Sequence, residues 1–242
     1  MKLKVLFSGI DGTGKTTCLD LVADRLQSQH RVLRVGGTAY FLAFQGVKEP
    51  LISRKLQHRI HRIGSAARRV HLYGVYLVFN FLFKFGSSKY FQFARTADVV
   101  MFEADTLLHP AVVITYHFPR LRRLSPKWRF RATSALFGSP RGSLIVYFKA
   151  DPEVSVDRIC QREIREGTAV QPHENVEDLK MLEREFEAVL QVAAEAGYDI
   201  VRVDTNERSA EQVANTVEAE LRKRLHSERA TLEAPPDLPV ST

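Results

Sequence analysis

The chain has 242 residues, a length that one α/β domain can fill, and 45% of them are apolar, enough for a sizeable core. Its two cysteines, Cys18 and Cys160, exclude a disulfide framework and a cysteine-based metal site. The net charge of +7 attracts anions in general, be they nucleotides, acidic lipid or nucleic acid, and no nucleic-acid-binding module is recognisable.

In chain order, Leu3–Ser8 is a short apolar run before glycines and predicts a buried strand. Lys15–Ser28 places Leu19, Val22, Ala23 and Leu26 on one helical face. Arg31–Val35 predicts a second strand, closed by Gly36-Gly37. Ile52–Phe85 reads as mostly helical, with an apolar second half, Leu72–Phe85, flanked by Arg68, Arg69, Lys84 and Lys89. Gly74, Asn80 and Lys84 interrupt that half, and about 20 apolar residues are needed to span a bilayer. A buried or partner-facing helix is the expectation, with a peripheral membrane contact as the alternative.

Asp98–Phe102 predicts a central strand, and Thr106–Phe137 a mixed stretch in which Pro110, Pro119 and Pro126 break any long helix. Leu144–Phe148 predicts a strand. Asp151-Pro152 then opens a helix, with aspartate as cap and proline in the first turn, that ends near Gly167. Glu166–Glu174 is polar and predicts a mobile loop. Val176–Ala196 carries apolar residues at helical spacing and is stopped by Gly197. Asp199–Val203 predicts the last strand and Ser209–Leu225 the last helix. Residues 227–242 hold three prolines and predict a disordered tail after a domain of residues 1–226. The alternation implies an α/β fold: a three-layer parallel sheet with helices on both faces. No signal peptide precedes it, which predicts a cytoplasmic protein.

Gly9-Ile10-Asp11-Gly12-Thr13-Gly14-Lys15-Thr16 matches the phosphate-binding pattern G-x-x-x-x-G-K-[ST], between a strand and a helix as the pattern requires. Glycines let backbone N–H groups turn inward around phosphate oxygens, and the helix N-terminus adds free donors and partial positive charge. The loop through Thr17 therefore predicts binding of a nucleoside triphosphate, with Lys15 on the β- and γ-phosphates and the Thr16 hydroxyl on Mg²⁺. Asp11 either orients an acceptor or a metal-bound water, or simply forms the turn. No N-K-x-D run is present to read guanine, so ATP is the expected donor.

Phe7-Ser8-Gly9-Ile10-Asp11-Gly12-Thr13-Gly14-Lys15-Thr16-Thr17 resembles the opening of the thymidylate kinases, roughly F-E-G-x-D-G-x-G-K-T-T. Gly36-Gly37-Thr38 is similar to that family's P-G-G-T, without the preceding R-E-P. Asp151-Pro152-Glu153-Val154 after Val146-Tyr147-Phe148, and Val203-Asp204-Thr205 before Ser209-Ala210-Glu211-Gln212-Val213, resemble its last third. The resemblance covers about residues 1–226. It implies a P-loop fold of the nucleoside-monophosphate-kinase type, Mg²⁺ as cofactor, ATP as donor, and dTMP or a similar small molecule as acceptor. A homodimer stays open.

Such enzymes place arginines in the phosphate loop or in a closing lid. Here the loop carries Gly12 and Thr13, so the resemblance assigns the task to Arg162, Arg158 and Arg165. These recur along one helical stripe leading into Glu166–Glu174. A solvated basic face pairing with Glu163 and Glu166 is the alternative. The family's third strand ends in Asp-Arg-Tyr. Aligned on Val99–Phe102, Glu103 takes the carboxylate position, where it would hold Mg²⁺ through water, while Ala104 replaces the arginine. Asp105 shares that strand end, and both acids could instead be turn charges. A second register makes Val112–Thr115 the strand and puts Tyr116 and His117 at Asp-Arg. The resemblance places acceptor binding near Arg68, Arg69, Tyr76 and Asn80. A different acceptor, or a nucleotide-gated protein without turnover, are the competing readings.

Overall fold

The computed structural model describes residues 3–35, 41–50, 97–103, 107–137, 142–167 and 174–233. Its centre is a seven-stranded sheet. The strands are β1 (Leu3–Ser8), β2 (Val32–Val35), β3 (Phe41–Phe44), β4 (Val47–Pro50), β5 (Val99–Phe102), β6 (Leu144–Lys149) and β7 (Asp199–Asp204), in the spatial order β4-β3-β2-β5-β1-β6-β7. The five strands from β2 to β7 pair in parallel, and β1 lies between β5 and β6.

The central strands are buried on both faces, which is why they read as unbroken apolar runs. Side chains alternate between the faces with a period of two. Val5 and Phe7 point into one core while Leu6 points into the other, and Val99 and Met101 oppose Val100 and Phe102 in the same way. The helices are numbered among the described residues: α1 (Lys15–Leu26), α2 (Leu108–His117), α3 (Pro126–Phe137), α4 (Pro152–Glu166), α5 (Val176–Glu195) and α6 (Ala210–Glu233). The core around Val5 and Phe7 is closed by α1 and α6. The other is closed by α2 and α5, with Phe130 of α3 and Ile159 of α4.

Three findings depart from the expectations. The sheet is not wholly parallel: β3 and β4 form an antiparallel hairpin on its β2 edge. Their turn, Gln45-Gly46, has φ of 48° and 82°, the double positive φ that twisted hairpins favour. The prolines divide Thr106–Phe137 as expected, so that no single long helix spans it, and each also lies at the start of a helical segment. Pro119 and Pro126 open a 3₁₀ turn (Pro119–Arg123) and α3, and Pro110 sits in the first turn of α2, where its missing N–H would have no partner anyway. The stretch Val112–His117 is helical, so the second register of the third strand fails and Val99–Phe102 stands as that strand. Finally, α6 runs on to Glu233, so the first residues of the expected tail are helical.

Gly167, at φ 64°, closes α4, and the Asn175 side chain caps α5 by accepting from the Asp178 N–H at 2.9 Å. Asp151 stands at the N-cap of α4 but its side chain makes no capping bond; its N–H donates to Asn206 Oδ1 at 2.7 Å instead. Gly36–Thr38 and the helix expected at Ile52–Phe85 lie outside the described residues. So do Ala104, Asp105, residues 168–173 of the expected loop, and the tail beyond Glu233.

Candidate functional site

The phosphate loop leaves β1 at the strand ends of the parallel sheet and enters α1, the crevice where open α/β sheets bind ligands. Two of its glycines are required by close backbone approach. A Cβ on Gly9 (φ 137°) would stand 2.4 Å from the Phe148 carbonyl oxygen, at the end of β6. One on Gly12 (φ 80°) would stand 2.4 Å from the Ser155 carbonyl oxygen, in the first turn of α4. The loop is thus clasped between β6 and α4. Gly14 takes a left-handed conformation at the N-cap of α1. It has no side chain to cap the helix, and the first turn carries no acid, so the positive helix end is left to an incoming anion.

Inside the loop, the Thr13 hydroxyl donates to the Ile10 carbonyl at 2.9 Å. The Lys15 ammonium donates to the same carbonyl at 2.5 Å and lies 3.4 Å from Thr13 Oγ1. Ile10 itself is buried in the core, while Asp11 is half-buried and Thr17 exposed on the first turn of α1.

The sheet brings Glu103 to the loop. β5 neighbours β1, and the Glu103 N–H donates to the Val35 carbonyl at 3.0 Å, fixing the residue between β5 and β2. The Thr16 hydroxyl donates to Glu103 Oε1 at 2.5 Å. Two hard oxygen groups therefore meet beside the phosphate loop. That donor set fits Mg²⁺, which takes few protein ligands and completes its shell with water and phosphate. The sequence assigns Thr16 and Glu103 each to Mg²⁺ but does not single out the residue that joins them. Arg34, on β2, reaches Glu103 Oε2 at 3.4 Å and pairs with Asp20 of α1. Arg34 is 4% exposed, and burial holds its guanidinium below the ordinary arginine pKa, opposed by Glu103. A charge that deep must be paired. The available signal was an arginine inside the apolar run Val32-Leu33-Arg34-Val35.

The three arginines of α4 have three different partners. Arg158 donates to the Thr205 carbonyl at 2.5 Å, the Thr205 hydroxyl at 3.2 Å and the Asn206 carbonyl at 3.1 Å. It is a strut between α4 and the loop after β7. Arg162, within α4, pairs with the buried Glu174 at 2.8 Å. Arg165 is exposed and pairs with Glu166 at 3.1 Å. Sharing a helix face has not given them a shared target.

Cys18 is no nucleophile: burial pushes its thiol up to about 12, against a smaller opposing effect of Arg25. The His109 ring packs near Phe186, with centroids 6.2 Å apart. The residues that the resemblance assigns to the acceptor, Arg68, Arg69, Tyr76 and Asn80, lie outside the described residues.

No protein-family model matches the chain, and no curated protein matches its sequence. Solved structures match its fold. The deoxyadenosine kinase of M. mycoides, with dCMP and a flexible dCDP bound, aligns over 91% of this chain and 100% of its own at TM-score 0.52 and 13% identity. The same enzyme with dATP bound aligns over the same shares at TM-score 0.50 and 14% identity. At such identities the likeness speaks for architecture: the chain has the mostly parallel α/β fold of the P-loop NTPases, in the arrangement seen in a nucleoside kinase.

Proposed function

We propose that this protein transfers the γ-phosphoryl group of Mg·ATP to a nucleoside-type acceptor. The observation that carries the reading is the meeting of the glycine-clasped loop, Lys15, Thr16 and Glu103 at one edge of the sheet. Phosphoryl transfer asks mainly for positioning and for charge neutralisation around the moving group. The loop N–H groups and Lys15 would hold the triphosphate. Thr16 and Glu103 would hold Mg²⁺, the Glu103 carboxylate through water. When bound, that ion would neutralise the β- and γ-phosphate oxygens. Arg162 would supply a further cation once it leaves Glu174, with Arg165 near the nucleotide. Arg158 would first have to leave the carbonyls it now holds. A P–O bond forms at the acceptor oxygen as the bond to the ADP oxygen breaks, and an acceptor hydroxyl releases its proton to solvent.

Two acceptors are favoured by separate observations. A deoxynucleoside hydroxyl fits the fold likeness to a deoxyadenosine kinase. It also fits the end of β5, where Glu103, Ala104 and Asp105 offer no cation for an anionic acceptor. A monophosphate such as dTMP fits the sequence resemblance, and Arg68 and Arg69 would then have to meet its phosphate.

The test is ADP release from Mg·ATP over a panel of deoxynucleosides and their monophosphates. Turnover with deoxynucleosides alone supports the first acceptor, and turnover with dTMP the second. ATP binding without acceptor-dependent release from any of them refutes the kinase reading.

A further inference from the structure

The charge of this chain is sorted along its length. Residues 51–150 hold 17 of its 35 Lys and Arg but three of its 28 Asp and Glu: Asp98, Glu103 and Asp105. Residues 107–137 contain no acid at all. The phosphate loop uses none of these cations.

The structure shows how part of this charge is displayed. α3 is fixed from its inner side. Arg129 is 3% exposed, donates to the Ala111 carbonyl at 3.0 Å and pairs with Glu185 at 2.5 Å, and the Phe130 ring meets Tyr198 edge-on with centroids 6.0 Å apart. The outer side presents Lys127 and Arg131, and the preceding 3₁₀ turn adds Arg120, Arg122 and Arg123, all exposed. Among the described residues no ion pair engages these five cations. Large apolar side chains stand among them: Trp128 is 57%, Leu136 62% and Phe118 44% exposed. Glu195 lines the shallow cleft beside Lys127 and Arg131, so the patch has an acidic rim on its α5 side.

We propose that the Phe118–Leu136 surface docks on an anionic lipid bilayer. Basic side chains interleaved with tryptophan, phenylalanine and leucine suit the boundary between charged headgroups and acyl chains. Aromatic rings among cations also suit single-stranded nucleic acid, but a base has nothing to stack on at Leu136, whereas a bilayer takes it up. The position of the patch agrees. Tyr198 immediately precedes β7, so Phe130 marks the edge of the sheet where its parallel strands begin, and the phosphate loop lies at the edge where they end. A docked molecule keeps that loop open to solvent.

Trp128 is the only tryptophan of the chain and reports on the patch directly. The full-length protein is mixed with phosphatidylcholine vesicles, with or without phosphatidylglycerol. Sedimentation with the anionic vesicles alone, a blue shift of Trp128 emission and release by salt are expected. The combined exposed variant Arg120→Gln, Arg123→Gln, Lys127→Gln, Arg131→Gln should keep the wild-type melting curve and lose affinity by roughly fivefold per cation. Absence of binding to the anionic vesicles at low salt overturns the proposal. So does binding that the four substitutions leave unchanged, or binding to oligonucleotides but not vesicles. ADP release is not read in any arm, so the outcome is independent of the kinase reading.

Discussion

Gly12→Ala should damage this protein far more than Gly14→Ala, although the two glycines share a conformation. Their φ angles are 80° and 82°, so an added methyl meets the same left-handed penalty at both, about 1–2 kcal/mol. Their surroundings differ. A Cβ on Gly14 has nothing within 4 Å. A Cβ on Gly12 stands 2.4 Å from the Ser155 carbonyl oxygen and 2.9 Å from its carbonyl carbon and Cα. All three are backbone atoms of the first turn of α4, so no side chain can swing away and the loop and helix must part. Overpacking of that kind costs about 1–3 kcal/mol more. For a domain of this size the gap corresponds to a melting-temperature difference on the order of 2–12 °C between the variants. Thermal unfolding of both, followed by circular dichroism without nucleotide, measures it. Equal melting temperatures would refute the close packing of the phosphate loop on α4.

Arg34→Met should destabilise the fold by about 3 kcal/mol, because it leaves the Glu103 carboxylate without its buried cation while Asp20 can still turn to water. Urea unfolding tests this, and a loss under about 0.5 kcal/mol would be that of an ordinary surface site. Arg162→Ala should lower kcat more than it raises KM for ATP if the guanidinium acts in the transition state, and a pure KM effect would reduce it to ground-state binding. With its thiol pushed up to about 12 by burial, Cys18 should resist a thiol reagent at mildly alkaline pH while the half-buried Cys160 reacts. Release of two thiols from the native protein at one fast rate would contradict that burial.

The parts of this fold that the sequence announces are those dictated locally. β1, β5 and β6 are continuous apolar runs because two cores claim their alternate side chains. The phosphate loop is legible because its spacing has one physical use. The hairpin β3–β4 escaped because its turn is Gln45-Gly46 rather than the Asn-Gly or Asp-Gly that usually signals two positive φ angles. Val112–Thr115 is β-branched and could have been a strand; burial of Leu108, Ala111 and Val112 against α5 makes it a helix, tertiary packing overriding propensity. Arg34 was missed because its partners Asp20 and Glu103 lie 14 and 69 residues away. The α4 arginines show the converse limit: helical spacing gives a common face, while Arg158 is claimed by Thr205 and Asn206, brought in by the neighbouring strand β7.

Titration calorimetry of Mg·ATP into the wild-type protein and Lys15→Ala bears most directly on the phosphate loop as a nucleotide site. Saturable one-site binding is expected, weakened by about a hundredfold or more when the ammonium that now rests on the Ile10 carbonyl is removed. Equal affinity in the two folded proteins, or no heat of binding from either, would contradict it.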